Sequence, residues 1–201
     1  MTQVNSSTLL QVSGLEVEVA ERPLLTDFNL SVNPGALIEI KGPNGSGKTT
    51  LLRYLAGIRR AHRGSIDLRS HSFAYVGQKS GLNAALTAYE NLRWLTQNAD
   101  QNTSETELMR VLSELGLKSC RDMPVGSLSA GQVRRCGLAS LLALKARIWL
   151  LDEPLTSLDE SAIDWLKGAI TSHRASGGGA VVATHATLGL PDTETIDLNV
   201  S

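Results

Sequence analysis

The first half of the chain alternates apolar and polar residues in the manner of β-strands. Such runs cover 10–19 and 28–32, and a shorter apolar run at 36–40 ends in a glycine-rich loop. Apolar residues of 51–56 then recur at helical spacing, and two more short apolar runs fall within 66–76. Because alternation with a period of two favours strands, this half is predicted to be β-rich around one strand–loop–helix unit.

The second half combines helical periodicity with continuously apolar runs. Helices are predicted at 104–115 and 163–170, where apolar residues recur every three or four positions, and at 130–144. The runs 148–151 and 180–184 are apolar throughout, as in strands of a parallel sheet that is covered on both faces. The order of elements therefore predicts an α/β fold with a parallel-sheet core.

The length of the chain is typical of one domain. With 201 residues it can bury a single core, and we expect one domain over residues 1–201. Within this domain, the β-rich start and a helical insertion over about 80–140 are expected to form two lobes on the sheet core.

Composition and charge argue against several classes of function. A net charge of −1 argues against binding to a nucleic-acid backbone, which favours a basic face. The longest apolar stretch, 138–151, is interrupted by two basic residues and is shorter than the roughly 20 residues of a membrane span. The polar segment 1–7 lacks the pattern of a signal peptide. Cys120 and Cys136 form no CxxC pair, which is typical of reduced thiols in a cytosolic protein, and the four histidines lack metal-ligand spacing.

The glycine-rich loop carries the first chemical signal. It fits the phosphate-loop pattern GxxxxGK[ST] in full and lies between a predicted strand and a predicted helix. Glycines let backbone N–H groups curl around phosphate oxygens, and the helix adds the positive end of its dipole. Lys48 is expected to reach the β- and γ-phosphates, and the Thr49 hydroxyl is expected to bind Mg²⁺. The candidate nucleotide-binding residues here are Gly42, Pro43, Asn44, Gly45, Ser46, Gly47, Lys48, Thr49 and Thr50.

Two carboxylates follow the predicted strand 148–151. Asp152 and Glu153 therefore stand at its carboxyl end, where ligands bind in open α/β sheets. We expect Asp152 to hold Mg²⁺ and Glu153 to act as general base toward the attacking water. An acidic pair after a strand is usually a helix cap or an exposed loop, but the phosphate loop in the same chain favours the catalytic interpretation.

A third motif separates this chain from other phosphate-loop proteins. Ser129, Gly131 and Gln132 stand at the start of the predicted helix 130–144, about twenty residues before Asp152. A hydroxyl, free N–H groups and a helix N-terminus can together bind a phosphate. In isolation the segment would be an ordinary capped helix. The run LSAGQ resembles the LSGGQ signature of ATP-binding cassettes, with alanine in place of the first glycine.

The three motifs, in this order and spacing, resemble the ATP-binding cassette family over nearly the whole chain. The resemblance implies a P-loop NTPase fold with a parallel-sheet core, an N-terminal antiparallel β subdomain and a helical signature subdomain. It also implies roles for three more residues: Gln78 senses Mg²⁺ and contacts a membrane partner, Asp159 touches the opposite cassette, and His185 holds the γ-phosphate. The signature then serves the nucleotide site of a second cassette, so that a homodimer hydrolyses ATP with Mg²⁺.

Three further segments narrow the resemblance. Residues 86–92, 124–135 and 149–159 are similar to the ATP-binding subunit of the bacterial haem exporter of cytochrome c maturation. This implies haem export, integral membrane partner subunits that contact the cargo in place of this chain, and a peripheral location at the cytoplasmic face of the inner membrane. Other small export cassettes share parts of these segments, so another exporter is the alternative.

One departure from the family concerns the nucleotide base. The family often has an aromatic residue that stacks on adenine some twenty-odd residues before the phosphate loop, whereas 17–21 contains none. We therefore expect weak base stacking and little selectivity for adenine.

Other phosphate-loop proteins fit the sequence less well. A GTPase normally carries NKxD and DxxG motifs, and neither occurs here. A small-molecule kinase would have no use for the signature at Ser129. Soluble cassettes of DNA repair or translation usually carry two cassettes, long insertions or coiled coils, which this chain lacks. An ATP-sensing module that never hydrolyses ATP is disfavoured by Glu153.

Overall fold

The computed structural model describes residues 8–19, 22–69 and 72–198. The interpretations of segment 1–7, of Ala20–Glu21 and of the spacing of His71 lie outside these residues. In chain order, the described residues form β1 (Leu10–Val19), β2 (Arg22–Val32), β3 (Leu37–Lys41), α1 (Lys48–Leu55), β4 (Ser65–Asp67), β5 (Phe73–Val76), α2 (Ala88–Asn98), α3 (Glu105–Glu114), α4 (Ala130–Ala143), β6 (Ile148–Asp152), α5 (Glu160–Ala175), β7 (Gly179–Ala183) and β8 (Thr193–Asp197).

A three-stranded antiparallel sheet in the order β2-β1-β4 forms the N-terminal lobe. The buried residues of β1 change parity within the strand, from Leu10 and Val12 to Leu15 and Val17. The pairing register shifts between Val12 and Leu15, where Gly14 has a φ of 58°. The irregularity keeps both apolar pairs on the core side, and glycine adopts the left-handed backbone there without steric cost.

Five parallel strands in the order β5-β6-β7-β3-β8 form the core sheet. Both faces of β6 are covered, which explains its continuous apolar sequence. Ile148 and Leu150 pack with α1 and the antiparallel sheet, whereas Trp149 and Leu151 pack with the helices α2 to α5. The predicted α/β fold with its two lobes is confirmed. Because the strands are parallel, the carboxyl ends of β3, β5, β6 and β7 lie along one edge of the sheet.

Two elements of the structure lie outside the sequence-based expectations. β8 pairs with β3, but its sequence TETID has a single apolar residue and gives no strand signal. α2 opens the helical lobe, and its N-cap Thr87 forms a capping box with Glu90. That spacing of threonine and glutamate is a recognised helix start, so α2 could have been found from the sequence. No helix among the described residues is long and apolar enough to cross a membrane.

Candidate nucleotide-binding site

The phosphate loop joins the carboxyl end of β3 to the start of α1. Gly42, Gly45 and Gly47 have φ values of 149°, 86° and 96°, which is backbone that favours glycine. At Gly42 a Cβ would also lie 2.6 Å from Ser46 Oγ and 2.7 Å from the Leu198 carbonyl oxygen. The glycines of this motif are therefore required by the path of the loop itself.

Lys48 lies folded against this loop. Its ammonium donates to the carbonyl oxygens of Gly42 at 2.7 Å and of Pro43 at 3.1 Å, and the side chain is buried. Ser46 is buried beside it, and its hydroxyl has no hydrogen-bond partner among the described residues. A buried hydroxyl is costly without a partner, so this atom fits a polar ligand such as a phosphate oxygen.

Thr49 and Asp152 meet although they stand 103 residues apart in the chain. The Thr49 hydroxyl donates to Asp152 Oδ1 at 3.0 Å, while Asp152 Oδ2 is buried without a partner among the described residues. Burial raises the pKa of the Asp152 carboxyl, Glu153 raises it further, and the Thr49 hydrogen bond opposes both. A hydroxyl beside an unpaired carboxylate oxygen is the oxygen donor set that Mg²⁺ prefers, so these residues fit the implied metal.

Glu153 follows at the end of β6 and contacts His185 at the end of β7. Glu153 Oε2 and His185 Nδ1 are 2.8 Å apart, in hydrogen-bonding contact. The Glu153 backbone donates to the Ala183 carbonyl at 2.8 Å and has a φ of 46°. A left-handed conformation at a residue other than glycine costs of order 1–3 kcal/mol and is held by its surroundings, as at many functional sites.

Two adjoining cavities connect these residues. The larger, of about 590 Å³, is lined by Asn44, Gln78, Glu153, His185 and the start of α4. The smaller, of about 230 Å³, is lined by much of the phosphate loop with Lys48, Thr49 and Thr50, and again by Gln78 and Glu153. The exposed Gln78 thus lines both cavities together with Glu153.

The outer wall of the smaller cavity is aliphatic. Val19 and Leu24 line it, and no aromatic side chain is among the described residues that line this cavity. Leu24 lies so close that a Cβ on Gly47 would stand 3.0 Å from its Cδ1. Sequence reasoning pointed to the neighbourhood of Val19 but missed Leu24, because the contact crosses from β2 to the loop.

The signature residues stand at the start of α4. Ser129 caps α4, since its hydroxyl accepts from the Gln132 N–H at 3.3 Å while Gln132 Oε1 accepts from the Ser129 N–H at 2.9 Å. Ser129 is exposed, and Gly131 and Gln132 are half-buried. None of the three lines either cavity just described. Ala130, between them, borders the larger cavity, while the exposed Ser129 is accessible to another molecule.

Arg134 is a buried residue of the site that sequence reasoning missed. Its guanidinium donates to the carbonyl oxygens of Gly77 at 2.6 Å, Asp152 at 3.0 Å, Glu153 at 2.7 Å and Pro154 at 3.4 Å. Burial lowers its pKa, and the nearby carboxylates oppose this. Its spacing to the buried apolar residues later in α4 fits one helix face and was the available signal. The contacts tie α4 to the segments that carry Gln78 and the acidic pair.

A phosphate loop after one parallel strand, an acidic pair at the end of a second strand of the same sheet and a signature at the start of a helix define an ATP-binding cassette. A family model described as ABC transporter matches residues 25–156. The cytochrome c biogenesis ATP-binding export protein CcmA of Saccharophagus degradans is 37% identical over 203 residues, covering 92% of this chain and 91% of the relative. The protein of the same name from Paracoccus denitrificans is 42% identical over 172 residues, covering 85% and 79%.

Solved structures agree with these relatives. One described as the ATP binding subunit of an ABC transporter superposes with a TM-score of 0.81 and 26% identity, covering 89% of this chain and 80% of that chain. The chain therefore belongs to the ABC transporter family and, within it, to the cytochrome c biogenesis ATP-binding export proteins. It is an ATP-binding protein and an ATPase of this class.

Proposed function

We propose that this chain hydrolyses ATP as one of two paired cassettes and so drives haem export for the biogenesis of c-type cytochromes. The observation that supports hydrolysis most is the meeting of four side chains at one sheet edge, Thr49 on Asp152 and Glu153 on His185. The choice of cargo is supported by the relatives, which are named for export in cytochrome c biogenesis.

The phosphates of ATP are held by residues 42–50. The backbone of the loop and the dipole of α1 bind the phosphate oxygens, and the buried Ser46 hydroxyl gains a partner there. The Lys48 ammonium, which now contacts two loop carbonyls, has a third N–H for the β- and γ-phosphates. Asn44, between the two cavities, borders the γ-phosphate end.

Thr49 and Asp152 would hold Mg²⁺, with Gln78 at the side of the same cavity. When bound, this ion supplies positive charge against the β- and γ-phosphates. The buried, orphaned Asp152 Oδ2 and the hydroxyl of the half-buried Thr49 support the assignment, since both are oxygen ligands.

Glu153 is the general base for the attacking water. It is nearly buried but lines the cavity, and its carboxylate is oriented by His185. The exposed edge of the His185 imidazole is left to contact the γ-phosphate. Glu153 can accept a proton from the water, and His185, at hydrogen-bond distance, orients the Glu153 carboxylate. This arrangement is suited to activating water.

Ser129, Gly131 and Gln132 serve the phosphates of a second copy of the chain. The exposure of Ser129, and the absence of all three residues from the lining of the two cavities, support this assignment. The start of α4 offers N–H groups and a dipole end to that γ-phosphate. Arg135 pairs with Asp159 beside them, which joins the signature helix to the segment expected to touch the other cassette.

The surface around residues 78–92 is the docking site for integral membrane subunits. Leu82, Leu86 and the 60% exposed Trp94 border a groove of about 310 Å³ there. An exposed tryptophan at a groove is a typical anchor for a protein partner. Through these subunits the chain would lie at the cytoplasmic face of the bacterial inner membrane. The membrane subunits, and not this chain, would contact the cargo. We assign the chain no nucleic-acid partner.

Deleting the gene tests the proposed cargo. We expect haem-stained gels to lose covalently bound c-type cytochromes while the apoproteins and b-type cytochromes persist. Complementation with the parent gene restores the bands, Lys48→Ala fails because phosphate binding is lost, and Trp94→Glu fails although its purified ATPase activity remains. Normal c-type bands in the deletion strain would rule out haem export and leave the role of another small exporter.

A further inference from the structure

Glu39 is a carboxylate in the middle of an apolar strand. It lies in β3, the strand that leads into the phosphate loop, and it is fully buried like its neighbours Leu37, Ile38 and Ile40. Burying a carboxylate is costly unless it is paired and hydrogen-bonded. Such a residue needs an explanation that packing does not give.

The contacts of Glu39 point to the loop that follows His185. The Leu188 N–H donates to Glu39 Oε1 at 2.7 Å, and the Thr187 hydroxyl donates to Oε2 at 3.2 Å. The half-buried Lys41 completes the set with an ion pair of 3.1 Å. Two of the three partners of the Glu39 carboxylate, Thr187 and Leu188, therefore belong to the loop that directly follows His185.

β3 also holds this loop on the other side of His185. The Thr184 N–H donates to the Ile40 carbonyl at 3.1 Å. The Thr184 hydroxyl then donates to the Ala186 carbonyl at 2.8 Å and accepts from the Ala186 N–H at 3.1 Å. The His185 side chain itself is 70% exposed, so its position depends largely on these backbone anchors.

We propose that Glu39 is a positioning residue that fixes the loop after His185 and thereby sets the imidazole against Glu153. β3, the strand that leads into the phosphate loop, then also fixes the position of His185 relative to that loop. This inference rests on the proposed role of His185 in hydrolysis. Nothing in the reaction requires Glu39 to touch the nucleotide.

Turnover kinetics give the first test. Glu39→Leu should lower kcat by roughly tenfold or more, because small misplacements of catalytic groups have effects of this size. The KM for ATP should be unchanged, since the phosphate loop remains. Glu39→Gln keeps an acceptor for the Leu188 N–H and should retain more activity. Glu16→Leu removes a partly exposed strand carboxylate, paired with Arg63 away from the site, and should match the parent.

A double variant separates positioning from general damage. In a His185→Ala background, Glu39→Leu should cause no further loss of kcat, because its effect passes through the histidine. Losses that multiply would overturn the proposal. If Glu39→Leu fails to fold by circular dichroism, Glu39→Gln and Thr187→Val carry the same comparison, since each removes part of the anchor while keeping the volume.

NMR of the nucleotide-free protein tests the geometry without ATPase activity. The His185 ring signal, assigned by its loss in His185→Ala, should shift in Glu39→Gln and Thr187→Val and stay in place in Glu16→Leu. An unmoved ring signal in both anchor variants would overturn the proposal. If His185→Ala turned over like the parent, the proposed catalytic role would fall, while the ring signals would still decide whether Glu39 positions the loop.

Discussion

The residues of the site differ in what the sequence reveals about them. Lys48, Asp152 and Glu153 follow motifs whose spacing is local, so the sequence predicts both their identity and their place. Arg134 and Glu39 act through contacts with distant segments, and no local motif marks them. A buried charge is visible in a sequence only as an exception to an apolar pattern, and the pattern does not name its partner.

His173 supplies a prediction at this scale, remote from the nucleotide. Its ring stacks on Trp149 with centroids 4.0 Å apart and planes 7° apart, and burial lowers its pKa below the ordinary 6.5. A lowered pKa contributes stability that is present above pH 6.5 and lost as the pH falls through the folded-state value. His173→Phe keeps the stacked ring and does not titrate. Its melting temperature should therefore fall less than that of the parent between pH 7 and 5, and parallel curves would contradict this.

Base selectivity is a second prediction about side chains. Among the described residues, Val19 and Leu24 form the outer wall of the smaller nucleotide cavity. The base is therefore expected to contact aliphatic side chains and not to stack on an aromatic ring. A stacked base is worth roughly 1–3 kcal/mol, so GTP should compete within about tenfold of ATP. Competition measured with a fluorescent ATP analogue checks this. A thousandfold preference for ATP would mean that other residues build an adenine pocket.

At the scale of elements, strong periodicity was predictable and weak or non-local pairing was not. The helix predicted over 130–144 is α4, Ala130–Ala143, and the two apolar runs are β6 and β7. β8 was not predictable from the sequence, because a polar edge strand is defined by its pairing with β3 rather than by its own residues. The parity change in β1 shows the same limit, since the irregularity at Gly14 is set by pairing with β2.

Helix α5 permits a stability prediction. Gly168 lies in the middle of this helix, and a Cβ added there would meet nothing within 4 Å. Gly168→Ala should raise the free energy of unfolding by about 0.5–1 kcal/mol, because alanine loses less conformational freedom in a helix. Urea denaturation measures the change. Gly178→Ala is a control with the opposite expected effect. The added Cβ would lie 2.2 Å from the His173 ring, so this substitution should destabilise the protein.

The whole molecule carries two separate half-sites. The phosphate loop, the acidic pair and His185 converge at the edge of the parallel sheet, whereas the exposed signature serine caps the start of α4 and itself lines neither nucleotide cavity. Under the proposed pairing, a second copy would complete each site, and a symmetric pair would create two such sites. Hydrolysis should therefore depend on protein concentration and on both halves.

Mixing two inactive variants tests this central claim most directly. Ser129→Arg should block hydrolysis while sparing ATP binding, and Lys48→Ala should lose both. Mixed dimers keep one intact site, made of the Ser129→Arg chain's phosphate loop and the Lys48→Ala chain's signature. In an equal mixture that pairs at random, about half of the dimers are mixed, and each mixed dimer has one working site of two. The mixture should therefore recover up to about a quarter of the parent ATPase rate. Full activity in Ser129→Arg alone, or no recovery on mixing, would contradict the paired-cassette account.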